Sequence, residues 1–323
     1  MNTPFSTNNA LKNVLVVFKH SRYTYAEEHA EGSQVIFDHH NPLTKQLLLA
    51  HDKNQACIDH VVATLKKLNI AHSAICRSEL NPKQAKNCFI ISVGGDGTLL
   101  DVSHQCSDSI VLGVNSDPDS SRGALCAAQA NNFEKIFKEI YQGKLQPTKL
   151  ARLAITVGHK DIGINALNDV LFCHKNPAAM SRFSVSLKGL TENSHASGIW
   201  IATPAGSTGG IFSAGASPLP LLAHHAIFLQ REPSWSQASA PSLLCGAIQP
   251  GEKIVITANM SDAAIFVDGP HKMFDVPLGH SVEIALSDQS LWLFDGEKLE
   301  EGRKKLIAQR KGIQQQLKGR MSC

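Results

Sequence analysis

The hydrophobic pattern changes character near the middle of the chain. In the first half, continuous apolar runs alternate with stretches of helical period. NVLVVF (residues 13–18) is β-branched and of strand length. Within residues 47–68, Ile58, Val61, Val62, Leu65 and Leu68 recur at helical spacing while Lys66 and Lys67 face away, and Asn69 stops the pattern. HSAICR predicts a short strand, NPKQAKN a loop, and CFIISV a strand covered on both faces. TLLDVSHQC reads as a helix, IVLGVN as another strand, SDPDSSRG as a loop, and NNFEKIFKEIYQGKL as an amphipathic helix with Phe133, Ile136, Phe137 and Ile140 on one side. Strands alternating with helices predict a parallel, Rossmann-like sheet, whose ligands bind beyond the carboxyl ends of its strands.

The second half is a succession of short strand candidates: ARLAITV, ALNDVLFCH, RFSVSL, GIWIATPAG, AIFLQ, KIVITAN, AIFVDG, SVEIALS and SLWLFD. Gly, Pro, Asn, Asp and Ser punctuate them, which predicts a mostly antiparallel β domain. The change falls in QGKLQPTK, read as a linker. The expected organisation is an α/β domain over 1–147, a mostly-β domain over 148–295, and a basic C-terminal helix over 296–323. That helix is expected to pack on the first domain or to extend into solvent.

Composition narrows the classes. At 323 residues the chain exceeds one ordinary core. Its net charge of +3 gives no electrostatic case for a nucleic-acid or membrane partner, and no apolar run reaches membrane-spanning length. The N-terminus lacks a signal-peptide pattern, so a cytoplasmic protein is expected. The eight cysteines show no CxxC spacing and read as reduced, mostly buried thiols. The doublets His39-His40 and His224-His225 are poor chelates because adjacent residues point apart. No motif predicts a resident metal.

The candidate chemistry lies in ISVGGDGTLL (residues 91–100). Gly94, Gly95 and Gly97 let a bulky ligand approach the backbone, and free N–H groups before Thr98 suit a phosphate at a helix start. A carboxylate is unexpected beside phosphates, which makes Asp96 the informative residue. It would hold Mg²⁺, accept a proton from an attacking hydroxyl, or hydrogen-bond a ribose; the alternative is a structural turn. The loop is neither GxGxxG nor a Walker A motif. Arg22 and Arg122 follow successive strands of the same sheet and are candidates to meet phosphate.

GGDGTLL resembles the signature of NAD kinases, of diacylglycerol and sphingosine kinases and, more loosely, of 6-phosphofructokinases. Three further stretches resemble the NAD kinases in order and spacing. ALNDVLF is similar to their N-E-V element with Asp169 for Glu, SGIWIATPAGSTGG to their D-G-x-x-x-x-T-P-T-G-S-T-A-Y element, and AIFVDG to their late D-G strand. FKHSRYTYAEE, LGVNSDPDSSRGALC, Ser197 before its glycine, and Arg231-Glu232-Pro233 resemble the divergent branch that includes the mitochondrial NAD kinases.

The resemblance implies phosphorylation of the 2′-hydroxyl of the adenosine ribose of NAD, with ATP as donor and Mg²⁺ or another divalent cation, to give NADP. It implies Asp96 as general base, with Gly95, Gly97 and Thr98 against the substrate. Asn168 and Asp169 would bind ribose, and Thr208, Gly209 and Ser213 would surround the adenine end. From the residues alone, Asp268 is a candidate metal-side or structural carboxylate, the alternative being a turn at FVDGP. The resemblance also implies a homodimer or homotetramer. Two departures stand out: Gly210 replaces an aromatic, and Ser197 removes a charged partner for the nicotinamide amide. The competing readings are a lipid kinase with the same loop and a non-catalytic NAD(P)-binding regulator.

Overall fold

A computed structural model describes residues 13–21, 23–24, 40–234, 242–294, 299–305 and 307–309. The chain forms two compact units, Met1–Thr148 with Trp292–Leu299, and Lys149–Leu291 with Glu300–Cys323.

In the first unit, β1 (Val14–Phe18) leads to α1 (Pro42–Lys67). The helix begins ahead of its apolar period because the Asn41 side chain accepts from the N–H of Leu43 at 2.9 Å and Pro42 needs no donor partner at the first position. It ends where the pattern ends. Asn69 takes φ +54°, and the N–H groups of Asn69 and Ile70 return to the carbonyls of Lys66 and Leu65, both at 3.0 Å.

After β2 (His72–Cys76), the expected loop NPKQAKN contains α2 (Pro82–Ala85). A reciprocal cap makes it helical. The Asn81 side chain accepts from the Gln84 N–H, and the Gln84 side chain accepts from the Asn81 N–H, each at 3.1 Å. Next come β3 (Phe89–Gly94), α3 (Asp96–Ser103), β4 (Ile110–Asn115), β5 (Ala128–Gln129) and α4 (Phe133–Tyr141). Every residue of β3 and β4 is buried, as strands covered on both faces require.

Two expectations are corrected here. The linker stretch contributes β6 (Pro147–Leu150), and LWLF does not belong to the antiparallel set. Leu291–Phe294 returns to the first sheet and runs parallel to β4, giving the order β2-β1-β3-β4, then Leu291–Phe294, then β6, with β5 beside β4. Phe294 explains the return: its ring packs edge-on against Phe89 at 5.5 Å in the core of this unit.

The second unit pairs two six-stranded sheets. One contains β7 (Leu153–Val157), β8 (Lys160–Asp161), β10 (Ser181–Leu187), β11 (Leu190–Ala196), β15 (Lys253–Ala258) and β18 (Ser281–Leu286). The other contains β9 (Asp169–His174), β12 (Ile199–Ala202), β13 (Ala226–Gln230), β14 (Cys245–Ile248), β16 (Ala263–Val267) and β17 (Met273–Val276). Inward residues of both sheets share one core, and Phe172 meets Phe183 across it with centroids 5.5 Å apart. The polar segment LTENSHA gives little strand signal of its own. It becomes β11 because Lys188 and Gly189, at φ +54° and +81°, form the tight turn that folds it back on β10.

Residues 299–305 and 307–309 are helical, and Arg303 bonds to Leu219, Ser207, Pro204 and Ala205 in the second unit. The described part of this helix is thereby anchored through Arg303 to the second unit, a placement that neither expected alternative, the first domain or solvent, had named. No helix among the described residues is long and apolar enough to cross a membrane.

Gly113, inside β4, shows how tightly the first unit closes. A Cβ there would lie 2.8 Å from the Leu125 carbonyl oxygen and 2.9 Å from the Cys126 Cα. Gly113→Ala is expected to destabilise the protein by roughly 1–3 kcal/mol through overpacking. A urea midpoint equal to the parent's would contradict this packing.

Candidate functional site

The turn after β3 places Asp96 in the first turn of α3, with Gly95 as the N-cap. The Asp96 carboxylate is not loose. Its Oδ2 accepts from the Ala124 N–H at 2.9 Å and its Oδ1 from the Leu125 N–H at 2.8 Å. Each oxygen keeps a further lone pair for an incoming hydroxyl. The same loop is tied back through Asn115, whose side-chain amide donates to the Ser121 carbonyl at 2.8 Å. Asp96 thus sits on a helix start and on the loop after β4, two elements beyond the carboxyl ends of parallel strands.

The glycines divide by cause. A Cβ at Gly94 would come 2.3 Å from Thr98 Oγ1, and one at Gly95 would come 2.5 Å from Ser121 Oγ. Both are glycine for packing. At Gly97 nothing lies within 4 Å of the Cβ position, and the residue is exposed. Glycine in a first helical turn costs about 1 kcal/mol relative to alanine, so the chain's own packing gives no reason for it. Thr98 is 1% exposed, and its Oγ1 has no hydrogen-bond partner among the described residues. Arg122 is exposed on the loop that holds Asp96. Arg22 lies outside the described residues.

In the second unit, Asn168 and Asp169 stand at the start of β9. Asp268 fixes them: its Oδ1 accepts from the N–H of Asn168 at 2.7 Å and of Asp169 at 3.0 Å, and its Oδ2 from Leu167 at 2.8 Å. Of the roles open for Asp268 in the sequence, these three backbone bonds fit the structural carboxylate. The Asp169 carboxyl is buried close by. Burial, with the Asp268 charge adding to it, pushes its pKa up to about 7.

The TPAGST loop packs against the same corner. The Thr203 N–H donates to the Asn168 carbonyl at 2.9 Å, and its hydroxyl to the Leu167 carbonyl at 2.5 Å. A Cβ at Gly206 would be 2.0 Å from the Asn168 carbonyl oxygen, so only glycine fits there. Gly209 lies beside Asp169, its Cβ position 3.5 Å from Oδ2. Thr208 is half-buried. Ser213 ends α5 (Gly210–Ser213) and is exposed.

Sequence reading missed Arg303, which holds this loop from within. It is 8% exposed, and it donates to Ser207 Oγ at 2.6 Å, to the carbonyls of Leu219 at 2.9 Å and Ala205 at 3.2 Å, and to the Pro204 carbonyl. Burial lowers its pKa to about 10, which leaves it charged at neutral pH. A basic helix offers no signal that one of its arginines turns inward.

A cavity of about 400 Å³ opens on this unit, lined among others by Asp169, Ser197, Trp200, Arg231 and Glu232. Of the predicted site residues only Asp169 lines it; Asn168, Thr208, Gly209 and Ser213 do not. No group of three or more His, Cys, Asp or Glu side chains among the described residues could hold a metal ion.

The profile of the ATP-NAD kinase N-terminal domain matches residues 9–145. A protein named "Probable NADH kinase" from Oryza sativa subsp. japonica is 36% identical over 245 residues, covering 69% of this chain and 75% of its own length. The chain belongs to the NAD kinase family. An "NADH kinase" from Arabidopsis thaliana is 32% identical over 279 residues, covering 79% of this chain and 87% of its own, which supports the branch expected from Ser197 and Arg231-Glu232-Pro233. In fold, the chain resembles an NAD kinase from Archaeoglobus fulgidus crystallised with ATP. The TM-score is 0.65 at 20% identity, over 92% of this chain and 98% of that one. A yeast NADH kinase complexed with NADH gives a TM-score of 0.63 at 18% identity, over 91% and 88% of the respective chains. The protein is therefore an enzyme, a kinase with an α/β first domain and an antiparallel second one, and the lipid-kinase and non-catalytic readings give way.

Two predictions follow from the second unit of this kinase. Arg303→Ala removes the buried donor shared by the Leu219, Ala205 and Pro204 carbonyls and the Ser207 hydroxyl, and is expected to cost about 3 kcal/mol or more. Arg303→Lys recovers only part of that, because one ammonium cannot span the same acceptors; equal urea stability of all three proteins would refute the role. Asp169 supplies a pH test. Folded, it keeps its proton up to about pH 7, whereas the unfolded chain loses it near 3.8, so unfolding releases a proton in that window and stability falls as pH rises. The fall is at most about 4 kcal/mol. Asp169→Asn is expected to flatten it, so that the variant exceeds the parent in stability at pH 8. Parallel pH–stability curves would count against the buried carboxyl.

Proposed function

We propose that the enzyme transfers the γ-phosphoryl group of ATP to the 2′-hydroxyl of the adenosine ribose of NAD or NADH, giving NADP or NADPH. The observation that carries this reading is the Asp96 carboxylate, oriented by two backbone N–H groups at a helix start beside an unfilled position at Gly97. A sugar hydroxyl is a weak nucleophile at neutral pH, and a fixed carboxylate supplies the acceptor it needs.

In this mechanism O2′ attacks Pγ as its proton passes to an Asp96 oxygen. The bond between Pγ and the bridging oxygen breaks, and ADP leaves with that electron pair. The start of α3, with its N–H dipoles, favours the phosphate charge. Asn168 and Asp169 offer one amide and one carboxyl to ribose hydroxyls, and the TPAGST loop, with Thr208 and Gly209, borders them. Because no group of three or more His, Cys, Asp or Glu side chains is gathered among the described residues, a divalent cation fits here as one carried by the nucleotide's phosphates, with one or two carboxylates from the chain. When bound, Mg²⁺ would neutralise charge on the transferring phosphate. The acceptor ribose is the same in both redox forms of the dinucleotide, so discrimination between them belongs to the nicotinamide end. The relatives named NADH kinases support including the reduced form. The assembly is proposed to be a homodimer or homotetramer.

The test is formation of NADP or NADPH from ATP, Mg²⁺ and either dinucleotide. Asp96→Asn is expected to lower kcat by roughly 10²–10⁴. An amide presents a single acceptor oxygen, so the variant also loses one loop hydrogen bond and some stability. The decisive comparison is therefore the fall in kcat against the smaller change in dinucleotide Kd. A variant that keeps its turnover, or a parent that phosphorylates neither dinucleotide, overturns the proposal.

A further inference from the structure

Gly210 and Ser197 each lack a group that the family pattern leads one to expect. Both losses sit beside the cavity of the second unit. A Cβ at Gly210 would lie 2.8 Å from Cζ2 and 3.1 Å from Cη2 of Trp200. The indole therefore occupies the space into which a side chain at 210 would grow. Ser197 Oγ donates to a Glu232 carboxylate oxygen at 2.5 Å, which brings a carboxylate to the place where Ser197 offers none. Trp200, Ser197 and Glu232 all line the cavity.

The sheet explains how these side chains come to face it. Along β9, β12 and β16, Val170, Phe172, Ile199, Ile201, Ile265 and Val267 point into the core. The alternate residues Leu171, Cys173, Trp200 and Phe266 emerge on the other face and line the cavity. Trp200 pairs with Leu171, and Leu171 with Phe266, so the three form one apolar row across adjacent strands. Arg231 lies over the indole, 5.8 Å from its centroid, and fixes one side of the ring. Beyond β13, Ser197 and Arg231 continue the ladder through the Ser197 N–H to Arg231 carbonyl bond at 2.8 Å and the Arg231 N–H to Gly198 carbonyl bond at 2.7 Å. Glu232 follows at φ +44°, a backbone state that a side-chain-bearing residue adopts at a cost and keeps only where its surroundings hold it.

We infer that Trp200 and Glu232 form the ring-recognition pair of this cavity, Trp200 as the stacking surface that replaces a side chain at 210 and Glu232 as the acceptor that replaces a carboxylate at 197. The ligand is a planar heteroaromatic ring carrying an N–H donor. An apolar plane takes the π face of such a ring, and a carboxylate at the rim takes its exocyclic amine or carboxamide. The inference rests on the dinucleotide reading of the site, since the adenine and nicotinamide ends of NAD(H) both have this chemistry.

The test is calorimetric titration of the full-length protein with NAD, NADH, AMP and nicotinamide mononucleotide. Trp200→Ala is expected to weaken the dinucleotides roughly 5- to 150-fold. It should weaken only the mononucleotide whose base the pair holds, which tells adenine from nicotinamide. Trp200→Phe keeps most of the affinity. Gly210→Tyr alone weakens binding, and the double variant Trp200→Ala with Gly210→Tyr binds better than either single. Glu232→Gln weakens binding about 10-fold, in the range of one hydrogen bond to a charged group, and Ser197→Asp restores affinity lost in Glu232→Ala.

Parent-like Kd values in Trp200→Ala and Glu232→Gln, or double variants no better than their singles, overturn the pair. If Trp200→Ala does not fold, the Glu232→Gln and Glu232→Ala with Ser197→Asp proteins decide. A parent that binds dinucleotide through Trp200 yet forms no NADP or NADPH sinks the kinase mechanism and keeps the pair. A parent that phosphorylates the dinucleotide with a Kd insensitive to both positions does the reverse.

Discussion

The Asp96 carboxylate, held by the N–H groups of Ala124 and Leu125, is the contact on which the chemistry proposed for the first unit depends. One side chain there closes a loop and, in the proposed mechanism, also takes the proton of the acceptor hydroxyl. The loop cannot leave without freeing the carboxylate, and the carboxylate cannot turn without unpairing two N–H groups. Its position is therefore as well defined as the sheet beneath it. The close pass of the 124–126 segment over Gly113 pins the loop from below. Orientation of this kind, set before substrate arrives, is what a proton acceptor for a weak nucleophile requires.

The second unit uses the same device with different partners. Asp268 gathers three consecutive N–H groups at the start of β9, and Arg303 gathers the carbonyls of the loop opposite. One carboxylate organises donors and one guanidinium organises acceptors, so each backbone segment keeps an irregular path with its polar groups satisfied. Asp169 sits between these anchored segments without such a set of donors of its own, and burial acts on it unopposed. Its carboxyl is consequently divided between neutral and ionised forms near pH 7. The neutral form can donate to a ribose oxygen and the ionised form can only accept.

The sequence made the regular parts legible for a physical reason. β3 and β4 are buried on both faces, so their residues are apolar without a break, and α1 carries its period for many turns. Asp96 stood out because a carboxylate is unexpected in a glycine-rich turn suited to phosphate, and the two loop N–H groups it would bind could not be read from the chain. What stayed hidden depends on distant partners. LTENSHA is too polar to announce a strand and is recruited by its turn and by β10. LWLF is a short apolar run like the strand candidates before it, yet Phe294 finds its place against Phe89, far away in the chain. Arg303 sits in a run of basic residues that looks solvated throughout, and only the carbonyls of residues 204–205 and 219 that it binds explain why this one is inside.

The same limit governs what a motif comparison can say about Gly210 and Ser197. A motif compares positions along a line, whereas a ligand meets atoms in space. Read along the line, the chain carries a glycine and a serine where the pattern it resembles has an aromatic and a carboxylate. In space, Trp200 fills the volume above Gly210, and Glu232 stands on the Ser197 hydroxyl. The exchanges are sterically linked, because the indole and a side chain at 210 exclude one another. On the proposed reading a side chain at 210 would displace the indole, so the residue types at 200 and 210 are linked even though ten residues separate them. A departure from a motif then points to altered function only after the volume vacated has been searched for its replacement.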